Sequence, residues 1–463
     1  MTTPTPVFPT GFRWGVSTSA YQVEGAAGTD GRGPSVWDTF AHQPGRIADG
    51  STGDVACDHY HRYAEDVALM AGLGVDAYRF SVAWPRVQPA GSGPAEPRGL
   101  DFYDRLVDAL LARNIDPVAT LYHWDLPQPL EDAGGWLVRD TAHRFAEYAD
   151  LVAARLGDRV RLWITLNEPF VHLSFGHGLG THAPGRQLLF DAVPVAHHQL
   201  LGHGLAVAAL RARTSSPVAI TNNYSPVRIL GHTGTDTDTG SGSGSGSGSD
   251  ADRAAGAAYD ALHNRLFTDP VLGLGYPPGL GPAPELVRDG DLATIAAPID
   301  VLGVNYYNPT GVRAPEEGSP LPFELVELDG YPRTAFDWPV VPDGLRELLV
   351  GLRDRYGDAL PPIEITESGC AYDDEPDADG RVHDPERITY LDGHLRAVRA
   401  AVDEGVDVRG YFVWSVLDNW EWAEGFTKRF GLVHVDFDTL ARTPKSSYAW
   451  YRDVIARSRQ DSA

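Results

Sequence analysis

Residues 160–169 read Val160-Arg161-Leu162-Trp163-Ile164-Thr165-Leu166-Asn167-Glu168-Pro169, and how they fold decides the architecture. The run is short, apolar and β-rich, the pattern of a buried strand. Pro169 ends it, because proline has no N–H to give to a ladder. Just upstream, Ala142 to Leu156 carries apolar residues at helical spacing. Working outward, seven more runs of the same kind begin near Phe12, Val75, Pro117, Pro217, Ile299, Ile363 and Val408. Helical stretches lie between them: Tyr60, Tyr63, Val67 and Met70 in one, Phe102, Leu106 and Leu110 in another. Strands alternating with helices imply parallel strands joined by crossover helices. Eight such units fit an α/β fold built as a single (β/α)8 TIM barrel, one domain over residues 1–463. The alternative is a doubly wound open sheet. No G-x-G-x-x-G turn follows the first strand, which counts against its dinucleotide-binding form.

One segment breaks the alternation. Residues 233–250 contain a Ser-Gly repeat, a composition typical of flexible linkers. Five strand signals precede it and three follow, and neither group closes a barrel alone. It therefore reads as a mobile loop inside one domain, after the fifth strand.

Composition narrows the functional classes. The 463 residues are 43% hydrophobic and 22% charged, an ordinary globular balance. The net charge of −25 repels phosphate backbones and anionic membranes, and no Lys/Arg run offsets it. Nucleic-acid and membrane partners are not expected. Positive charge is almost all Arg; Lys428 and Lys445 are the two lysines. Cys57 and Cys370 are two cysteines far apart, which reads as reduced packing residues. Met1 to Pro9 has no basic-then-apolar pattern of a secretory signal, and no apolar run reaches the roughly 18 residues of a membrane span. The expected location is the cytoplasm.

In barrels of this class the chemistry sits where strands run out into the loops that follow. The fourth strand ends on Asn167-Glu168-Pro169, and the seventh, Ile363-Glu-Ile-Thr-Glu367-Ser-Gly369, ends on a second Glu. Two carboxylates at one barrel mouth are what glycoside hydrolysis uses. The other ends are rich in polar and aromatic residues: Ser17 to Gly25 after the first, with Gln22 and Glu24; Tyr122-His123-Trp124-Asp125 after the third; Asn305-Tyr306-Tyr307 after the sixth; Trp414-Ser415 and Asn419-Trp420-Glu421-Trp422 after the eighth. Taken singly, Trp414 or Tyr307 reads as core and His123 as a satisfied buried histidine. Together they read as a sugar pocket, with aromatic faces for C–H surfaces and polar groups for hydroxyls.

At these residues the chain resembles glycoside hydrolase family 1, the β-glucosidase family, from Phe8 to Tyr451. The matching motifs are Phe8-Pro-x-Gly-Phe-x-Trp14-Gly, Ser19-Ala-Tyr21-Gln22-Val-Glu24-Gly25, Tyr78-Arg79-Phe80-Ser81, Tyr122-His123-Trp124-Asp125-Leu126-Pro127, Thr165-Leu-Asn167-Glu168-Pro169, Asn305-Tyr306-Tyr307, Ile365-Thr-Glu367-x-Gly369, Trp414-Ser-x-Leu-Asp418-Asn419-x-Glu421-Trp422 and Lys428-Arg429-Phe430-Gly431-Leu432. The resemblance implies that Glu168 is the acid/base and Glu367 the nucleophile. Arg79, Tyr307 and Asn305 would support the nucleophile. Asn167 would hold the sugar 2-hydroxyl. Gln22, His123, Glu421 and Trp422 would bind the remaining hydroxyls, with Trp124 and Phe430 beside them. Trp414 would be the stacking platform, and Trp338 would line the leaving-group side. Ser368 stands where the family usually has Asn, and the Ser-Gly repeat has no counterpart in its pattern.

The family reaction is retaining, with carboxyls about 5–5.5 Å apart. The neighbouring charge of Glu367 is expected to raise the Glu168 pKa. Glu421 argues for unphosphorylated sugars, since a carboxylate there would repel a 6-phosphate. Expected substrates are β-glucosides and cello-oligosaccharides, with β-galactosides and β-fucosides as side activities. No organic cofactor is implied, and no metal, because no histidine cluster stands at a strand end. A homo-oligomer is possible within this reading. The alternatives are a transglycosylase on the same site and a glycan-binding protein that has lost catalysis; the second would lack one of the two Glu residues.

Overall fold

A computed structural model describes residues 6–231 and 248–461 of the chain. Its centre is eight parallel strands: β1 (Arg13–Ser17), β2 (Ala77–Ser81), β3 (Asp116–Tyr122), β4 (Leu162–Asn167), β5 (Val218–Tyr224), β6 (Val301–Tyr306), β7 (Ile363–Ser368) and β8 (Val408–Trp414). Neighbours in sequence are neighbours in the sheet, and β8 pairs with β1, from Arg13 opposite Gly410 to Ser17 opposite Trp414. The sheet is therefore the closed (β/α)8 barrel expected, and the open-sheet alternative is excluded. Nearly every strand residue is buried. That is why these strands read as continuous apolar runs rather than alternating ones.

The barrel is a packed core. Ala77, Val118, Leu162, Ile164, Ala219, Val301 and Phe412 form a cluster of their own. Phe412 lies so close over β1 that a Cβ on Gly15 would sit 2.2 Å from its ring. With the barrel filled, the polar strand ends are left at the C-terminal mouth. Outside run α1 (His59–Leu73), α2 (Pro97–Leu111), α3 (Asp140–Leu156), α4 (Val193–Arg211), α5 (Asp250–Asp260), α6 (Pro342–Tyr356), α7 (Pro385–Asp403) and α8 (Ser446–Asp461). Three of them open on proline, whose fixed φ and missing N–H suit the first helical position. Among the described residues no helix is long and apolar enough to cross a membrane.

Most of the Ser-Gly loop assigned to residues 233–250 lies outside the described residues. Its last three residues are described, and Ser249 belongs to structure rather than loop. The Ser249 side chain accepts from the Asp252 N–H at 3.2 Å, and the Asp252 carboxylate accepts from the Ser249 N–H at 2.8 Å. This reciprocal cap starts α5.

One of the two lysines is structural. Lys445 is buried and donates to Asp374 at 2.7 Å and Asp418 at 2.8 Å. Arg387 holds Asp374 and Asp384, and Arg429 bonds Asp418 at 3.1 Å. Three cations and three carboxylates thus tie the loops after β7 and β8 to the start of α8. Those loops carry the residues of the barrel mouth. Removing one partner of a buried pair strands the other charge. Lys445→Met is therefore expected to lower stability by about 3–5 kcal/mol, read as a lower urea midpoint at unchanged slope.

Candidate active site

Each carboxyl is placed by its strand. Glu367 is the fifth residue of β7, and Glu168 follows the last residue of β4. Glu168 turns out of the strand with left-handed backbone, φ 43° and ψ 58°. Trp124 and Trp422 also have positive φ, 78° and 51°. Such conformations cost non-glycine residues roughly 1–3 kcal/mol each, and here all three stand at one mouth. Gly369, two residues after Glu367, lets β7 and β8 close up: a Cβ there would fall 1.8 Å from the Trp414 carbonyl oxygen.

One hydrogen-bonded frame holds both acids. Arg79, on β2, donates to Glu367 Oε1 at 2.5 Å and to Asn167 Oδ1 at 2.5 Å. Tyr307 donates to Glu367 Oε2 at 2.7 Å. Asn305 Nδ2 reaches Asn167 Oδ1 at 3.1 Å and Glu168 Oε1 at 2.9 Å. Its own oxygen accepts from Thr366 at 2.7 Å. Because Arg79 can only donate, the Asn167 atom facing it is the oxygen. The amide nitrogen then points at His123 Nε2, 2.9 Å away, so that nitrogen accepts and the His123 proton sits on Nδ1. Burial, and then the Arg79 charge, hold the His123 pKa well below its usual value, so the ring is neutral. Its Nδ1 has no protein partner. Trp124 Nε1 donates to the Asn167 carbonyl at 2.8 Å, fixing the indole against the frame.

The two acids differ in surroundings. Glu367 has a guanidinium and a phenol. Glu168 has only neutral amides, and its pKa is pushed up to about 8. Burial is the larger cause and the Glu367 charge the second. The sequence expectation named the second cause alone; a strand pattern does not show how deeply a strand-end carboxyl is buried. Glu421 is a third acid in the same space, also near 8 through burial and then Glu367. Gln22 donates to it at 3.1 Å and to Asn419 at 3.0 Å, while Ser19 donates to Gln22 at 2.7 Å.

Sequence reading missed part of the frame. Asn223, near the end of β5, donates to Glu168 Oε1 at 3.1 Å. His263 Nε2 donates to Asn223 Oδ1 at 2.8 Å, and His263 Nδ1 accepts from Tyr259 at 3.0 Å. The rule that singled out the other strand ends would have found Asn223 in Thr221-Asn222-Asn223-Tyr224. His263 has no such signal. With two N–H groups on Oε1, the acidic proton of Glu168 belongs on Oε2. Amide donors favour the charged form. Asn223→Ala is therefore expected to move the alkaline limb of kcat/KM above its wild-type position near pH 8, seen in paired pH profiles.

These groups open into one cavity of about 690 Å³. His123, Trp124, Glu168, Tyr307, Trp338, Glu367, Trp414, Glu421, Trp422 and Phe430 all line it. Gln22, Arg79, Asn167 and Asn305 stand behind, each bonded to a wall residue. His123 stacks between Trp414 and Trp422, with ring centroids 5.8 Å from each. Trp338 packs on Tyr307 at 5.4 Å and Phe430 at 6.3 Å. The arrangement can bind a polar ring with flat faces and offers it two carboxyls in unlike surroundings.

Known proteins match nearly the whole chain. A β-glucosidase B described as thermostable, from Thermobispora bispora, is 53% identical, covering 97% of this chain and 91% of that one. A bifunctional β-D-glucosidase/β-D-fucosidase from Bifidobacterium breve is 44% identical, covering 98% and 99%. The solved family 1 β-glucosidase from Thermotoga maritima superposes with a TM-score of 0.91 at 40% identity, over 98% of this chain and 99% of that one. The sequence profile of glycosyl hydrolase family 1 matches residues 5–460, both strand-end acids included. By profile, by relatives over nearly full length and by fold, the chain belongs to glycosyl hydrolase family 1.

Proposed function

We propose that the protein is a retaining β-glucosidase acting as one catalytic domain, with Glu367 as nucleophile and Glu168 as acid/base. The observation that carries this is the unlike setting of two carboxyls on one frame. A carboxylate bonded by Arg79 and Tyr307 is held and aimed, as a nucleophile must be. A buried carboxyl held by amides, with a pKa near 8, still has its proton at neutral pH, as an acid must. Glu367 attacks the anomeric carbon while the Glu168 proton passes to the departing oxygen. Once Glu367 is an ester its charge is gone, and Glu168 takes a proton from the water that frees the sugar. His123 and Trp414, on the cavity wall, would serve a ring hydroxyl and a ring face, with Asn167 behind His123.

Glu421 and Gln22 form the polar end for the outer hydroxyls. With its pKa near 8, Glu421 offers a proton as well as lone pairs. Exclusion of a 6-phosphate then rests less on a fixed negative charge than on the lack of Lys or Arg among the described lining residues. The relative named as glucosidase and fucosidase supports activity on β-fucosides beside β-glucosides. The test is a panel of aryl β-glycosides followed by NMR of the first-formed sugar. β-Glucose as first product, and a 6-phosphoglucoside turned over at least 100-fold worse, are expected. α-Glucose as first product, or the phosphoglucoside as best substrate, would overturn the reading.

A further inference from the structure

We infer that the outer part of the cavity is a receptor for an apolar leaving group, an alkyl chain or an unsubstituted aromatic, in preference to a second sugar. The inference rests on the β-glucosidase reading and names the class of leaving group. Among the described residues eleven large apolar side chains are exposed, and six of them line this one cavity: Phe175, Leu179, Leu189, Phe190, Leu321 and Leu325. Such clustering marks a binding surface, whereas scattered exposed leucines mean nothing.

Two separate chain segments build it. After β4, the π-helical turn His172–Leu179 brings Phe175 and Leu179, and the tight turn Leu189–Ala192 brings Leu189 and Phe190. Leu189 and Phe190 are 59% and 45% exposed. Opposite them, the segment after β6 supplies Leu321, the buried Phe323 and, in strand Glu324–Val326, Leu325. The cavity is continuous with Glu168 and Glu367, and at about 690 Å³ it holds a drug-sized molecule rather than one hexose.

Three polar side chains along this wall, Ser225, Thr310 and Tyr259, are already paired with one another. Ser225 and Thr310 share a hydroxyl–hydroxyl bond at 2.6 Å, and Ser225 also donates to the Asn308 carbonyl at 2.9 Å. Tyr259 is bonded to Thr310 at 3.2 Å and to His263. A second glucosyl unit would lose water from its hydroxyls with few partners in exchange, whereas an alkyl chain gains by the same burial.

The experiment compares kcat/KM for octyl β-D-glucoside, methyl β-D-glucoside and cellobiose, below the micelle concentration. Octyl is expected to exceed methyl by roughly 30-fold, the gain from burying two or three methylenes, and to exceed cellobiose by roughly ten-fold. The double variant Leu189→Ser, Phe190→Ser changes only exposed side chains. It should lower the octyl value about ten-fold and leave methyl within about two-fold. Cellobiose equal to or better than octyl overturns the inference, as does an equal loss on both glucosides. Titration with octyl and methyl β-D-thioglucosides, read as a ratio of Kd, needs no turnover. If octyl binds the tighter by that factor while nothing is cleaved, the proposed activity fails and the receptor stands. If the two bind alike, the receptor fails.

Discussion

Glu367→Gly is expected to lower kcat on an aryl β-glucoside by about 10⁵-fold or more, the scale of removing a covalent nucleophile. No neighbour can take over. Asn167, Asn305 and Tyr307 carry no nucleophile of comparable strength, and burial, the larger cause of the raised Glu421 pKa, still disfavours a charged carboxylate there. The variant leaves Arg79 and Tyr307 facing a small gap that once held a carboxylate. Azide fits such a gap and carries the charge Arg79 has lost. It would attack the anomeric carbon from the face Glu367 used, with Glu168 still protonating the departing oxygen. The product is then α-glucosyl azide, inverted relative to the substrate, and its appearance by NMR separates a lost nucleophile from a damaged fold. Turnover near that of the wild type would sink the assignment.

The barrel was legible because parallel strands covered on both faces must be apolar along their length. Each of the eight runs therefore stood out, with starts within two residues of the observed ones. The two acids were legible for a related reason: each stands at the C-terminal end of such a run, Glu168 after Asn167 and Glu367 after Thr366. What was not legible depends on contacts between distant elements. His263 acts on Glu168 only through Asn223, and its place comes from the way the π-helical turn Ala261–Arg265 packs over β5. The apolar outer wall is likewise split between residues 175–190 and 321–325, in segments with no regular period. Depth of burial was the third gap. It is the first cause of the raised pKa of both Glu168 and Glu421, the second of which looked like a fixed charge at the polar end. At its C-terminal edge the Ser-Gly repeat misled, because Ser is as good a helix cap as it is a linker residue.

Glu168→Ala should divide substrates by how much they need an acid. A 2,4-dinitrophenyl leaving group departs without a proton, so formation of the glycosyl-enzyme survives and kcat/KM falls by no more than about ten-fold. The next step loses its base, the ester accumulates, and kcat and KM fall together. A methyl or octyl glucoside needs the proton, and its kcat/KM falls by about 10³–10⁴. The pH profile adds an independent reading. In the wild type the active form has Glu168 protonated, so kcat/KM holds below the pKa and declines as pH rises through about 8. That decline should vanish for the dinitrophenyl glucoside in Glu168→Ala. Glu421 titrates in the same range, so a decline that persists would assign it to Glu421 and detach it from the acid. Azide again reports stereochemistry, now on the other face. It enters where the Glu168 carboxyl stood, attacks the ester on Glu367 and yields β-glucosyl azide. The α product from Glu367→Gly and the β product from Glu168→Ala are jointly explained only if the two acids flank the anomeric carbon from opposite sides. A uniform loss on all leaving groups, with no β-azide, would mean that Glu168 shapes the pocket without donating the proton.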